Sequence, residues 1–187
     1  MNKSEHAMKL TIGALLVFLL CAPGHAFGRM QWDGYLNAGE RALFEKTTRV
    51  LDYGYGYDAE VELPYVFPYS SQVAAPEKRE KAFSEAVKDV SAAELTALYE
   101  KVYRLTSATR YRARRYGDTQ KWKYYTYLQN YLLPPLERYL ELLRKHAIGK
   151  DPSYEEILPS RKKRIDAMVS RYYREQEVAE MRKDFYY

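Results

Sequence analysis

Two carboxylate pairs in this chain have the spacing of acid–base chemistry. Glu137 and Glu141 stand one helical turn apart, and Glu155 and Glu156 are adjacent on a short turn. Glycoside hydrolysis needs such pairs: one acid protonates the leaving oxygen while a second carboxylate serves as base or nucleophile, beside an aromatic sugar cleft. Any acidic helix supplies similar pairs by composition, and no G-x-S-x-G nucleophile motif accompanies them. A third acidic group, Asp58, Glu60 and Glu62, alternates along an extended segment, with neighbours about 6.6 Å apart and pointing in parallel. Calcium ligands have to converge, so this row reads as a solvated face.

Cysteine and histidine usage removes further classes of chemistry. Cys21 is the only cysteine, and His6, His25 and His146 are the only histidines. A disulfide framework, a thiolate zinc site, an iron–sulfur cluster and a zincin H-E-x-x-H are all excluded, and no cofactor or metal is expected. His146, near a helix C-terminus, reads as a solvent-accessible end residue that the helix dipole favours when charged. The chain is therefore expected to be noncatalytic, because the residues supply no specific reaction.

Three groups of residues are candidates for binding. Tyr124, Tyr127 and Tyr131 project about 150° away from the Trp122, Tyr125 and Leu132 stripe of the same helix. Either that helix is packed on both sides, or these tyrosines form an exposed ladder for a sugar face or another protein. Val178, Met181 and Phe185 similarly lie opposite the main stripe of the last helix, Ile165, Met168, Val169, Tyr172, Gln176 and Ala179. They are read as a docking element or as a tail packed on its own body. Arg161, Lys162, Lys163 and Arg164 are placed at the opening of that helix, where its dipole disfavours cations, which makes them an anion-contact candidate. Arg110, Arg112, Arg114 and Arg115 sit in the last turns of an earlier helix, where dipole complementarity accounts for them without a ligand.

The elements that must position these groups follow from periodicity. Apolar residues from Trp32 to Leu51 fit one amphipathic helix, weakened by Gly34 and Gly39. From Tyr53 to Tyr69 every odd position is apolar, which predicts an extended Tyr/Pro-rich strap over residues 53–75, with its odd-numbered side chains turned toward helices. Pro64 and Pro68 make a central sheet strand improbable, leaving at most a short edge hairpin. A second helix opens at Pro76, and a third follows the Ser91/Glu94 capping box and ends at Gly117. The fourth starts near Thr119, is kinked or broken at Pro134-Pro135 and continues to Gly149. After the Asp151-Pro152-Ser153 turn, Ser160 is expected to cap a long last helix, Arg161 to Phe185. The fold class is all-α: an antiparallel bundle of about five helices, with the strap between the first and second.

Residues 1–26 read as a cleavable secretory signal: Lys9, an apolar run from Leu10 to Ala22, then Pro23-Gly24-His25-Ala26. That run is shorter than the roughly 17 to 25 residues of a membrane span, so residues 27–187 are expected to form one exported domain, periplasmic or extracellular. Leu19 and Leu20 stand where a lipoprotein signal wants small residues, so Cys21 reads as part of the signal core. Losing Lys3, Lys9 and Glu5 lowers the net charge from +5 to about +4, a mild bias, and an exported chain does not meet its own cell's nucleic acid. All twenty tyrosines lie in the mature part; too many to disappear into a dry core, they point to a contact surface. The expected role is protein binding within the cell envelope or an extracellular assembly, the partner being another protein or a second copy; the alternative is binding or weakly marked hydrolysis of a cell-wall glycan. N-terminal sequencing of the exported form should read Phe27 first, and a chain starting at a lipidated Cys21 would place the protein on a membrane surface instead.

Overall fold

The first backbone N–H groups of a helix have no partner within it, and two side-chain caps supply acceptors here. In the computed structural model, which describes residues 36–58, 63–68, 76–117 and 126–184, Asn37 opens helix α1, Ala38–Val50. Asn37 Oδ1 accepts from the Glu40 N–H and Glu40 Oε2 accepts from the Asn37 N–H, both at 2.8 Å. This reciprocal box starts α1 six residues later than the apolar spacing from Trp32 suggests; residues 32–35 lie outside the described ones. The Ser91/Glu94 box is present as expected, with Ser91 Oγ accepting from the Glu94 N–H at 3.2 Å. It opens α3, Ala92–Gly117, which follows α2, Pro76–Ala86.

The expected strap is folded back on itself. Strands β1, Tyr53–Asp58, and β2, Leu63–Pro68, pair antiparallel with Tyr53 opposite Pro68 and Tyr57 opposite Pro64. Both strands are edges, so prolines can take positions where no ladder donor is required. The register pairs odd positions of β1 with even positions of β2, so the odd-numbered residues do not make one continuous face. Beyond Tyr53, which is buried, the side chains of the segment lie outside the description, as do Glu60, Glu62 and residues 69–75. At the α1–β1 junction Asp52 takes φ 57, a left-handed position that a short polar side chain tolerates. β1 rests against α1, and β2 against α3 and the stretch that follows residue 126.

Of the expected kink or break at Pro134-Pro135, the break does not occur. Residues Leu128–Leu132 form a π turn, and α4, Leu133–Lys150, begins without interruption, with Pro134 and Pro135 in its first positions. A proline lacks an N–H and its ring collides with the carbonyl four residues back. Widening the preceding turn, so that the Leu133 N–H reaches the Leu128 carbonyl, relieves the crowding without ending the helix. The last helix, α5, also differs: it is one run, Tyr154–Asp184, with Pro159 inside it. Ser160 caps nothing, because its hydroxyl donates back to the Ile157 carbonyl at 2.8 Å. Pro159 falls in the second turn, where it removes a single helical hydrogen bond.

The described residues are thus all-α apart from one small hairpin, and five helices bury a continuous core. Its centre is Tyr139 of α4, fully buried, with Phe44 of α1 edge-on at 5.6 Å and Phe83 of α2 edge-on at 6.1 Å. The Tyr139 hydroxyl lies 2.6 Å from Thr47 Oγ1, which also sits 2.7 Å from the Leu43 carbonyl. With the threonine proton given to that carbonyl, the tyrosine donates to Thr47. Helix α3 packs most extensively on α4 and then on α5. Along α3 and α5 the partners ascend together: Glu100 with Arg161, Tyr103 and Ser107 with Asp166, Tyr111 with Tyr173, Arg115 with Glu177. Truncating Tyr139 to alanine is expected to cost about 3 to 5 kcal/mol, and Tyr139→Phe about 1 kcal/mol, measured by denaturant unfolding.

Candidate functional site

The expected site residues fall into separate places. Tyr131 is 64% exposed and Tyr127 36%, with ring centroids 5.9 Å apart. Leu128 and Leu132, one position on from each tyrosine, are buried. Tyr124 lies outside the described residues, as do Trp122 and Tyr125. On α5 the buried stripe is Leu158, Ile165, Val169 and Tyr173, and the expected stripe members Met168, Tyr172, Gln176 and Ala179 are exposed. α3 holds α5 through Asp166 and Tyr173, so the inward face runs along Ile165, Val169 and Tyr173, about one residue away from the expected stripe. Val178 is exposed, as expected of a position opposite the core; the side chain of Met181 and all of Phe185 lie outside the description.

The basic run Arg161 to Arg164 does not open a helix. It begins in the third turn of α5, and its members diverge. Arg161 pairs with Glu100, Lys162 turns inward over the Tyr103 ring at 5.1 Å, and Lys163 and Arg164 are exposed. No common anion site of all four exists. In the earlier group Arg110 binds Glu137 at 2.8 Å, Arg112 lies over Tyr173 at 4.7 Å and Arg115 meets Glu177 at 3.3 Å, so packing partners account for these three.

A concavity of about 610 Å³ lies between α3, α4 and α5. Helical spacing builds each wall: Tyr99, Tyr103 and Arg110 share one stripe of α3, Glu137, Glu141 and Arg144 one stripe of α4, and Leu158 and Lys162 one of α5. Leu140 and Pro159 complete the lining. Tyr99 and Tyr103 are stacked at 6.0 Å with planes 10° apart. Behind them Asp166 accepts from the Tyr103 hydroxyl at 2.8 Å and from Ser107 Oγ at 2.6 Å, which fixes the Tyr103 ring. Burial pushes the Tyr99 hydroxyl up to about 12, and burial together with donation to Asp166 pushes Tyr103 up to about 12, so both stay protonated donors at neutral pH. Burial, then the neighbouring Arg110 and Arg144 charges, holds the Lys162 ammonium below its ordinary range. The sequence singles out Arg110 as a dipole partner, Glu137 with Glu141 as a possible acid pair and Lys162 as an anion contact, and gives no role to Arg144. The signal available was a charged residue recurring at turn spacing along otherwise apolar stripes.

Three of the four candidate acids are engaged: Glu137 with Arg110, Glu141 with Arg138 at 2.6 Å, and Glu155 with Arg144 at 3.7 Å. Among the described residues no three of His, Cys, Asp and Glu come together to hold a metal, and no helix is long and apolar enough to cross a membrane. No protein-family model, curated protein or solved structure matches the chain.

His146 is not the solvent-facing end residue that its position suggests. It is half-buried against Phe83, ring centroids 5.3 Å apart, and burial followed by the Lys145 and Lys150 charges lowers its pKa. A histidine whose folded-state pKa is depressed contributes stability that is complete above its unfolded value, near 6.5, and is lost as pH falls through the lower folded value. Thermal unfolding should therefore show a decrease in midpoint between about pH 6.5 and pH 5, before carboxylates titrate, and His146→Leu should flatten that interval.

Proposed function

We propose that this protein is an exported, noncatalytic helical protein that works by binding another protein, as an accessory or structural component of the cell envelope or of an extracellular assembly. The five described helices form an antiparallel bundle in this reading, with the hairpin strapped across one side. The observation that carries it is the exposed pair Tyr127 and Tyr131, two large rings 5.9 Å apart on the outside of the chain. Tyrosine supplies rigid apolar area and a hydrogen bond at little entropic cost, and it is enriched where proteins meet. Met168, Tyr172 and Val178 add exposed apolar area on α5.

The export half of the reading rests on the apolar segment at residues 10–22 and the small residues after it. The noncatalytic half rests on the lack of thiol and multi-histidine chemistry after that segment, and on the ion pairing of the candidate acids. Tagged mature protein purified from its native host should bring one partner with it in fixed ratio. Replacing Tyr127 and Tyr131, or Val178, Met181 and Phe185, by serine should weaken that association about tenfold or more while moving the unfolding midpoint little. A large drop in the midpoint would assign the altered residues to the core.

A further inference from the structure

The geometry points to the concavity between α3, α4 and α5 as a binding site for a carboxylated sugar, with the carboxylate held by Arg110, Arg144 and Lys162 and the hydroxyls by Tyr99, Glu137 and Glu141. Its volume, about 610 Å³, is that of a small-molecule site. The lining combines apolar walls, Leu140, Leu158 and Pro159, with a few convergent polar groups, the usual composition of a site that recognises an organic ligand by shape and orients it by charge.

Charge selects the ligand. Three cations and two carboxylates line the space, so it carries one net positive charge, which a monoanion neutralises and a dianion overfills. Lys162 has no carboxylate within ion-pair distance among the described residues, although it lies on the buried side of α5. Arg110 and Arg144 are forks suited to a planar carboxylate, and both are already held in place by acidic partners, Glu137 and Glu155. Lys162 is held below its ordinary pKa partly by those two guanidiniums, a penalty that an incoming anion relieves.

The tyrosines select the remainder of the ligand. The Tyr99 residue is 2% exposed, yet its hydroxyl has no hydrogen-bond partner among the described residues, leaving a donor for a ligand hydroxyl. Glu137 and Glu141 have acceptor capacity beyond their arginine bonds, and sugar hydroxyls can use it. A simple acid such as acetate has no hydroxyls to make these bonds. The site uses none of the docking residues, so it stands or falls independently of the protein-binding reading.

The test is calorimetric titration of the full chain with glucuronate and with galacturonate, beside glucose, acetate and inorganic phosphate. Saturable binding of a uronate is expected, with the neutral sugar, acetate and phosphate each at least about tenfold weaker. Lys162→Gln and Arg144→Gln should each weaken it about tenfold or more, as loss of a charge-assisted hydrogen bond does, with unfolding curves showing both variants folded. Arg174→Gln, the same charge change at an exposed position of α5, should leave affinity unchanged. Absence of saturable uronate binding, phosphate or acetate binding as tightly, or equal loss in Arg174→Gln would each overturn the proposal.

Discussion

One buried hydroxyl pair holds the helices that everything else is built on. Tyr139 is large enough to reach α1 and α2 from α4, and its ring fills the space between Phe44 and Phe83 edge-on. A tyrosine that deep has to satisfy its hydroxyl, because an unpaired one costs about 1 to 3 kcal/mol. Thr47 is positioned by its own bond to the Leu43 carbonyl, so it presents an oxygen where the tyrosine needs an acceptor. The apolar contacts set the spacing of the three helices, and the hydroxyl pair fixes how far α1 can slide along α4.

With α4 fixed on one side, its opposite stripe faces α3, and α3 in turn carries α5. Here the polar partner is Asp166, which receives Tyr103 and Ser107 on its two oxygens. A single carboxylate thus ties two positions of α3, one turn apart, to one position of α5, and the Tyr111 and Tyr173 rings stack two turns further on, 5.0 Å apart. Arg112 covers the Tyr173 ring, and Arg79 covers the Tyr53 ring at 5.7 Å. Both guanidiniums have buried nitrogen atoms with no hydrogen-bond partner, so an aromatic face provides their stabilisation. The concavity is what remains open where three helices meet with their charged residues directed at the same space.

Local chemistry made part of this legible in advance. The Ser91/Glu94 box and the helix end at Gly117 were readable because start and stop signals agreed over a long helix. The Asn37/Glu40 box has the same grammar, yet apolar residues upstream at Trp32, Tyr35 and Leu36 continued a helical spacing and masked it. Pro159 and Ser160 looked like a boundary, because a proline one turn into a helix and a proline ending one are alike in sequence. The alternation allowed an edge hairpin without placing its turn, since period two is unchanged by a fold-back, and only the pairing register reveals which positions share a side. The concavity was out of reach for a different reason. Its members come from three helices separated by dozens of residues, and no pattern within one helix announces which stripes will meet.

The wide turn before Pro134 also acts on helical phase. An α-helix advances by about 100° per residue, so Leu128, Leu132, Leu136 and Leu140, four apart, would drift steadily around its surface. The π turn advances less per residue and rewinds that drift, and all four leucines are buried. Tyr127 and Tyr131 each precede a leucine by one position, so their bearing is locked to the same correction. The two prolines therefore act as a gear: by forcing one slow turn, they set the direction in which the aromatic pair faces the solvent.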